Sequence, residues 1–301
     1  MMEPTLHPIP RPRDVLREQI RAVGLALRVP ALAATALVGL ATLHVVAAVW
    51  SSGEGFDFRP ELSMLPGMAG LLLPIGVWKG EERFGAGFLW TLPVDRRQHA
   101  LAKVFAGWVW LMAAVALFVL WMLGVTLLSG GNVLGQETLR LLPSYDLPAP
   151  GTLDPAALAT VGWTPRPVLW LVPFTAATAT YLLASALALG LRHPLWWLIG
   201  TVLGALLVGS FTEAANLEWV ATVSQRVLES LFYGPYGFDA LLTARTESLK
   251  TEALLSTGET VGVWRGLPDL GQWVMATLLW TSAGLVALWA AASRHRELRR
   301  A

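Results

Sequence analysis

Few residue types in this sequence could do chemistry. The chain has 301 residues, with five histidines and no cysteine, which excludes disulfides, thiolate metal sites and thiol catalysis. Four of the histidines lie in tails or short polar turns, and His44 lies inside a long apolar segment. We expect a neutral His44 that is hydrogen-bonded within a helical bundle, with a proton relay as the alternative. No metal-ligand spacing occurs, so no metal site is predicted.

A nucleotide site is also missing. The phosphate-binding pattern Gly-x4-Gly-Lys-Ser/Thr does not occur, and none of the three lysines follows a suitable glycine. The chain is therefore not expected to hydrolyse ATP by that route, to carry a catalytic residue or to hold a cofactor, and no nucleic acid partner is expected. Acids at Glu137, Asp146 and Asp239 could serve a lipid-modifying enzyme, but no pair of them has a recognisable catalytic spacing.

The elements that must position these residues are membrane helices. Hydrophobic residues make up 54% of the chain and charged residues 14%, which leaves too little polar surface for a soluble globule of this size. Continuous Leu, Ala, Val and Trp runs favour helices over barrel strands. The predicted fold is an all-α polytopic membrane protein with six transmembrane helices. We place them at 31–50, 62–78, 104–128, 168–191, 194–211 and 272–292.

The basic residues set the orientation, because cytoplasmic segments hold the excess of Lys and Arg. Residues 1–28 hold five, 79–103 hold five, 294–300 hold four, and Arg192 brings the total to 15 of 22. Both termini are therefore predicted to be cytoplasmic. We expect a single transmembrane domain over 1–301, with a cytoplasmic tail and helix at 1–30, the bundle at 31–292 and a basic tail at 293–301. Nineteen Arg against three Lys favours a bacterial cytoplasmic membrane.

Three segments outside the spans have their own patterns. Residues 14–28 alternate apolar and charged faces and predict an amphipathic helix on the inner leaflet, with a simple lead-in to the first span as the alternative. Residues 129–167 are rich in Gly and Pro and predict an outer loop with little regular structure. Residues 217–242 predict one or two short outer helices, broken at Gly234-Pro235. Their aromatic residues would lie at the membrane surface or re-enter it. These aromatic residues are Phe232, Tyr233, Tyr236 and Phe238.

A polar island at 79–103 lies between the second and third spans. Gly85 offers flexibility after the acidic pair Glu81 and Glu82, Pro93 stops the apolar run that follows, and Asp95 is placed to cap a helix. The apolar run contains Phe88, Leu89, Trp90 and Leu92, and the first turn of the new helix carries Arg96 and Arg97. An apolar cluster followed by arginines is typical of a segment that inserts into a groove on another protein. A topogenic loop that dips into the headgroups explains the same residues.

At these residues the sequence resembles the ABC type-2 family of transporter permeases. The family pattern has an acidic residue after the second span, a Gly and aliphatic segment, Leu-Pro-Val/Ile with a cap and basic residues, and then a Lys. The matching positions are Glu81 or Glu82, Gly85, Leu89, Leu92, Pro93, Val94, Asp95, Arg96, Arg97 and Lys103. Ala86 departs from the Thr that is common there. In the family this region is the coupling helix that docks on the ATPase subunit.

The resemblance implies a permease half of an exporter that is driven by two separate ABC ATPase subunits. ATP and Mg²⁺ would be bound by those partners, and a second permease would complete a homodimer or heterodimer. The spans contain no Asp, Glu, Lys or Arg, which disfavours an ion-gradient mechanism and is consistent with an external energy source. Thr175, Thr178 and Ser185 could line a path, and Gly200 and Gly204 form a small-x3-small packing pair.

A hypothesis from a different class is a non-transporting membrane scaffold or assembly subunit, whose loop at 79–103 binds another soluble cytoplasmic protein. Movement of substrate that depends on nucleotide would exclude it. The lipid-modifying enzyme that uses the outer acids is the third hypothesis, and unaltered activity after alanine replacement of those acids would exclude it.

Overall fold

A computed structural model describes residues 12–53, 55–56, 60–78, 96–133, 135–144, 148–191, 193, 196, 199–200, 203–204 and 218–297. This part of the chain is mostly helical. The α-helices are α1 Pro12–Ala26, α2 Arg28–Ser52, α3 Met64–Val77, α4 Arg96–Leu128, α5 Val172–Gly190, α6 Glu218–Phe232, α7 Phe238–Thr243, α8 Thr246–Leu249 and α9 Leu270–Glu297. Short 3-10 helices occur at Pro60–Ser63, Pro155–Ala157 and Pro167–Leu171.

Four helices are long and apolar enough to cross a membrane. They cover Arg28–Ser51, Arg97–Leu128, Pro167–Gly190 and Leu270–Ser293, and they correspond to the first, third, fourth and sixth predicted spans. The second predicted span is the 14-residue apolar helix α3, which is shortened because a 3-10 turn precedes it. The fifth, at 194–211, lies largely outside the described residues. Six spans therefore remain a prediction.

The helices run in two directions, which defines two ends of the bundle. A Cβ added at Gly190 would lie 3.6 Å from Cβ of Ala291, near the C-terminal ends of α5 and α9. Near the N-terminal ends, Val172 and Trp273 share a buried cluster. Helices α5 and α9 are therefore parallel, and α4 runs antiparallel to them. We call the end that contains Trp78 and the start of α4 the loop end, and the opposite end the sheet end.

Close helix crossings depend on small residues. The hydroxyl of Thr180 on α5 donates to the carbonyl oxygen of Gly67 on α3 at 2.8 Å, and a Cβ at Gly70 would collide with the same helix. A Cβ at Gly284 on α9 would lie 2.8 Å from Cβ of Leu182 on α5. Helix α5 is consequently the centre of the bundle, with α3 on one side and α9 on the other.

The amphipathic N-terminal helix is present as α1 and packs across α4. Trp110 Nε1 donates to the carbonyl oxygen of Ile20 at 2.9 Å. Its ring lies so close to Gly24 that an added Cβ would be 2.7 Å away. Helix α2 is different, because its side chains are mostly exposed along its length, and Trp121 Nε1 reaches it by donating to Thr42 Oγ1 at 2.9 Å.

The prediction of little regular structure at 129–167 is wrong. This segment contributes β1 Glu137–Leu141 and β2 Ala159–Trp163, which pair with β3 Lys250–Leu254 and β4 Thr260–Trp264 in the order β2-β1-β4-β3. The two hairpins are antiparallel, and β1 joins β4 in parallel at Leu141 and Trp264. Buried apolar side chains on both segments form a separate small core. The fold is therefore mostly helical with one sheet, and not entirely α.

The short helices between the fifth and sixth predicted spans are present, and the break at Gly234-Pro235 is confirmed, since α6 ends at Phe232 and α7 begins at Phe238. Helix α7 starts deep in the bundle. The rings of Phe238 and Trp280 are stacked with centroids 4.2 Å apart, and Trp280 lies about 15 Å along α9 from its start. Ala240 and Leu241 are then fully buried with Ala179 and Ala276.

Candidate docking loop and its helical base

Most of the predicted docking residues lie outside the described residues, namely Glu81, Glu82, Gly85, Phe88, Leu89, Trp90, Leu92, Pro93, Val94 and Asp95. The structure does place the two ends of this loop. Helix α3 ends at Val77 with Trp78 as its C-cap, and α4 is described from Arg96, so Arg96 and Arg97 lie in the first described turn of the long helix itself. Asp95 lies outside the described residues, so its predicted role as the cap of this helix stays a prediction.

A buried cation–π contact joins the two ends of the loop. Lys103 Nζ lies 4.9 Å from the centroid of the Trp78 ring, and the two residues are 6% and 1% exposed. An ammonium group removed from water gains more from an aromatic face than an exposed one does, up to about 2 kcal/mol. The contact therefore fixes the C-cap residue of α3 to the second turn of α4.

A second cation–π contact connects the first turn of α4 to the last helix, α9. The guanidinium of Arg97 lies over the ring of Trp289, with its carbon 6.0 Å from the ring centroid. Trp289 is on α9, close to the loop end. The start of α4 is thus held from two sides, by α3 through Lys103 and by α9 through Arg97.

Beneath these contacts, one apolar cluster gathers residues from five helices. Its buried members at the loop end are Val23 of α1, Leu27 between α1 and α2, Val77 of α3, Ala100 and Val104 of α4, Leu189 of α5, and Leu288 of α9. Interiors packed in this way transmit displacement because they have few voids. We call this cluster, together with Trp78 and Lys103, the base of the loop.

Tyr181 connects α5 to the base through a hydrogen bond to α4. Its hydroxyl donates to the carbonyl oxygen of Val104 at 2.8 Å, and the side chain is fully buried. The ring lies against Gly107, where an added Cβ would meet the hydroxyl oxygen at 2.2 Å and Cγ2 of Val77 at 3.0 Å. Glycine is therefore required at this level of α4, since any side chain would separate α3, α4 and α5.

The predicted path residues lie within helix contacts. Trp108 Nε1 donates to Thr178 Oγ1 at 3.2 Å, which turns this hydroxyl toward α4. Thr175 donates to the carbonyl oxygen of Val172 in its own helix, and Ser185 is fully buried. Around Gly200 and Gly204, a Cβ would meet no described atom within 4 Å. These two glycines therefore pack against nothing in the described part of one chain.

Sequence reasoning missed a carboxylate inside the bundle. The sequence predicts Asp239 in an outer loop, but α7 carries it to the depth of Trp280, and it is 9% exposed. Its Oδ1 accepts a hydrogen bond from Thr243 Oγ1 at 2.6 Å, while its Oδ2 is buried and has no partner. Ionisable groups at such depth are expensive and often functional. Of the other acids named with it, Glu137 opens β1 and Asp146 lies outside the described residues.

The base joins helices α1, α3, α4, α5 and α9 at the loop end through buried apolar contacts. Within the described ranges, no three His, Asp or Glu side chains lie close enough together to hold a metal ion. What the base provides is a rigid connection from the loop to α1, α3, α4, α5 and α9. The signal for this in the sequence was the pair of a Trp at the end of one apolar run and a Lys just before the next.

Comparison with known proteins identifies no relative: no family model, no curated protein and no solved structure matches the chain.

Proposed function

We propose that this chain is the membrane-spanning permease subunit of an ATP-driven ABC transporter, and that it acts as an exporter. Separate ATPase subunits dock on the loop at 79–103, and two permeases form the translocation path between them. The observation that carries the proposal is the contact of Lys103 with Trp78, because it makes the two ends of the loop one mechanical unit.

The direction of the helices supports the proposed six spans. Helices α5 and α9 are parallel, so the chain must return along the bundle between Gly190 and Lys250. The apolar segment at 194–211 supplies that return as a fifth crossing. With α3 counted as the second span, both termini and the loop lie on the cytoplasmic side, in agreement with the excess of basic residues there.

The charge at the start of α4 supports a partner at this surface. Cations at a helix N-terminus are disfavoured by the helix dipole, by about 0.3–1 kcal/mol each. The dipole of α4 therefore does not explain the two arginines. Arg97 contacts Trp289 within the bundle, and an acidic surface on an ATPase would bind Arg96. Closure of the ATPases would push on the loop, and the base would tilt α3 and α4 together.

The test is reconstitution with the ATPase that a neighbouring gene encodes, followed by replacement of Leu92, Asp95 and Arg96 together with alanine. We expect ATP-dependent transport and the complex itself to be lost. A matched control replaces Leu254, Glu259 and Arg140, which have the same side-chain types and are exposed at the sheet end.

The outcomes separate the proposal from its alternatives. If the loop triple variant still couples ATP hydrolysis to transport, the docking proposal is wrong. If a complex forms but nothing moves with ATP, the chain is a scaffold for a soluble partner and not a permease.

A further inference from the structure

His44 lies on the outside of the bundle. Thr42 of the same helix, α2, faces α4, because its Oγ1 accepts a hydrogen bond from Trp121 Nε1 at 2.9 Å. Two residues further along a helix the side chain has turned by about 200°, so His44 points away from α4, and it is exposed. The hydrogen bond that the sequence predicts for His44 within the bundle is not formed in the described part of the chain.

The depth of His44 in the membrane makes this exposure costly. The apolar span of α2 is Arg28–Ser51, and His44 lies about 7 Å from its middle along the helix axis. The hydrocarbon core extends about 15 Å to either side of its own centre. An imidazole at this depth is out of reach of bulk water, and lipid tails offer it neither a donor nor an acceptor. Its hydrogen bond must therefore be made to protein.

The face of α2 that carries His44 is exposed along the length of the helix. Its residues recur every three or four positions, which is the spacing of the contact seam between two paired helices. Small residues on such a face let two helix backbones approach closely. The exposed residues of this seam are Ala33, Leu37, Leu40, His44, Ala47 and Ser51.

A second copy of this chain is the partner that fits the seam. A neutral imidazole carries one N–H donor and one nitrogen acceptor, so two imidazoles across a two-fold axis form a hydrogen bond with each other. Equivalent spans of two copies in one membrane are parallel, and in a parallel pair the equivalent residues of the seam lie side by side. A single polar residue in such a seam also fixes the register of the pair.

We propose that α2 pairs with α2 of a second copy, with a hydrogen bond between the two His44 side chains at the centre of the contact. This inference rests on the proposed function for the pairing of two permeases, and it deepens that function because it makes the second permease a copy of this chain.

Engineered cysteines test the contact, since the chain has none of its own. Ala47→Cys, on the seam, should form a disulfide-linked dimer when the full-length protein is oxidised in membranes. Val46→Cys is the matched control, because Val46 is 53% exposed at nearly the same depth but lies about 200° from His44 around the helix. Leu40→Cys is the second seam variant if Ala47→Cys does not fold. Equal crosslinking in the seam and control variants, or none in either seam variant, would overturn the proposal.

Analytical ultracentrifugation of the full-length protein in detergent, without an ATPase, tests the hydrogen bond itself. His44→Leu should weaken the dimer by roughly threefold to thirtyfold, as expected for the loss of one hydrogen bond between membrane helices. His44→Asn should weaken it less, because an amide also carries a donor and an acceptor. An unchanged dimer in His44→Leu, or an original protein that is monomeric, would refute the contact.

These measurements separate the inference from the proposed function. If α2 pairs through His44 but ATP moves no substrate, the chain is a dimeric scaffold, and only the proposed function fails. If transport occurs and α2 does not pair, the permeases meet through other helices, and only this inference fails.

Discussion

Trp78, which precedes the polar island, and Lys103, which is its last residue, are in buried contact. The ammonium lies 4.9 Å from the centre of the indole ring, and both side chains belong to the base formed by five helices. A charged residue next to an apolar span usually extends its amine into water. Here the amine is enclosed, so the contact has a structural role that generates the first prediction.

Lys103→Met should keep the length of the side chain but remove the cation–π interaction. We expect a loss of about 1–2 kcal/mol in the free energy of unfolding, together with weaker coupling of ATP hydrolysis to transport. Thermal unfolding in detergent and ATPase assays of the reconstituted complex measure the two effects. Lys250→Met is the control, because Lys250 Nζ lies 5.1 Å from the Trp264 ring centroid at the sheet end, away from the loop. Similar losses of coupling in both variants would contradict the prediction.

Gly107→Ala should separate α4 from α5, because the new methyl group would collide with the Tyr181 hydroxyl. We expect destabilisation by about 1–3 kcal/mol, as for other overpacked sites. Removing that hydroxyl by Tyr181→Phe should recover part of the loss, which a double-mutant cycle measures as a coupling energy.

The matched control for Gly107 is Gly124→Ala on the same helix. No described atom lies within 4 Å of its Cβ position, so we expect this variant to be neutral or stabilised by up to about 1 kcal/mol. Equal effects at both glycines would show that helix propensity, and not the contact with Tyr181, determines the outcome.

Trp110→Phe should weaken the packing of α1 against α4 without affecting α2. The change removes the hydrogen bond from Nε1 to the carbonyl oxygen of Ile20, which contributes about 1 kcal/mol. Hydrogen exchange of α1 amides should become faster. Trp121→Phe should instead make exchange faster in α2 and leave α1 unchanged, because Trp121 Nε1 donates to Thr42 Oγ1 of α2. Unchanged exchange in α1 would mean that apolar contacts alone hold this helix.

Asp239→Asn should raise the free energy of unfolding, by about 1 kcal/mol, because a neutral amide avoids the cost of burying a carboxylate charge while its Oδ1 can still accept from Thr243 Oγ1. Thr243→Ala should destabilise the original chain more than it destabilises the Asn variant. Melting temperatures of the four proteins provide the check. A lower melting temperature for Asp239→Asn would show that the carboxylate is better satisfied than its contacts suggest.

The long apolar helices were predictable because span length and composition are local properties of the sequence. The apolar and charged faces of residues 14–28 likewise predicted a helix, which the structure has at Pro12–Ala26. The depth of Asp239 was not predictable, since it depends on the stacking of Phe238 against Trp280, more than 40 residues away. The enclosure of Lys103 also depends on a distant residue, so the sequence could only mark where the loop begins and ends.

The sheet could not be predicted from the sequence, for a related reason. Its strands have five residues each, and β1 sits in a Gly- and Pro-rich segment that carries no strong period-2 signal. The partners that stabilise β1 include β4, which is supplied by a far later part of the chain.

That separation also fixes an order of events during biosynthesis. Leu141 leaves the ribosome more than a hundred residues before Trp264, so the β1–β2 hairpin must wait for its parallel neighbour while α5 and the segment after it are inserted. Pairing of such distant strands is intrinsically slow. The sheet can therefore be completed only late in synthesis, after α5. Its last strand precedes α9, so the sheet can close before the final long helix is in place.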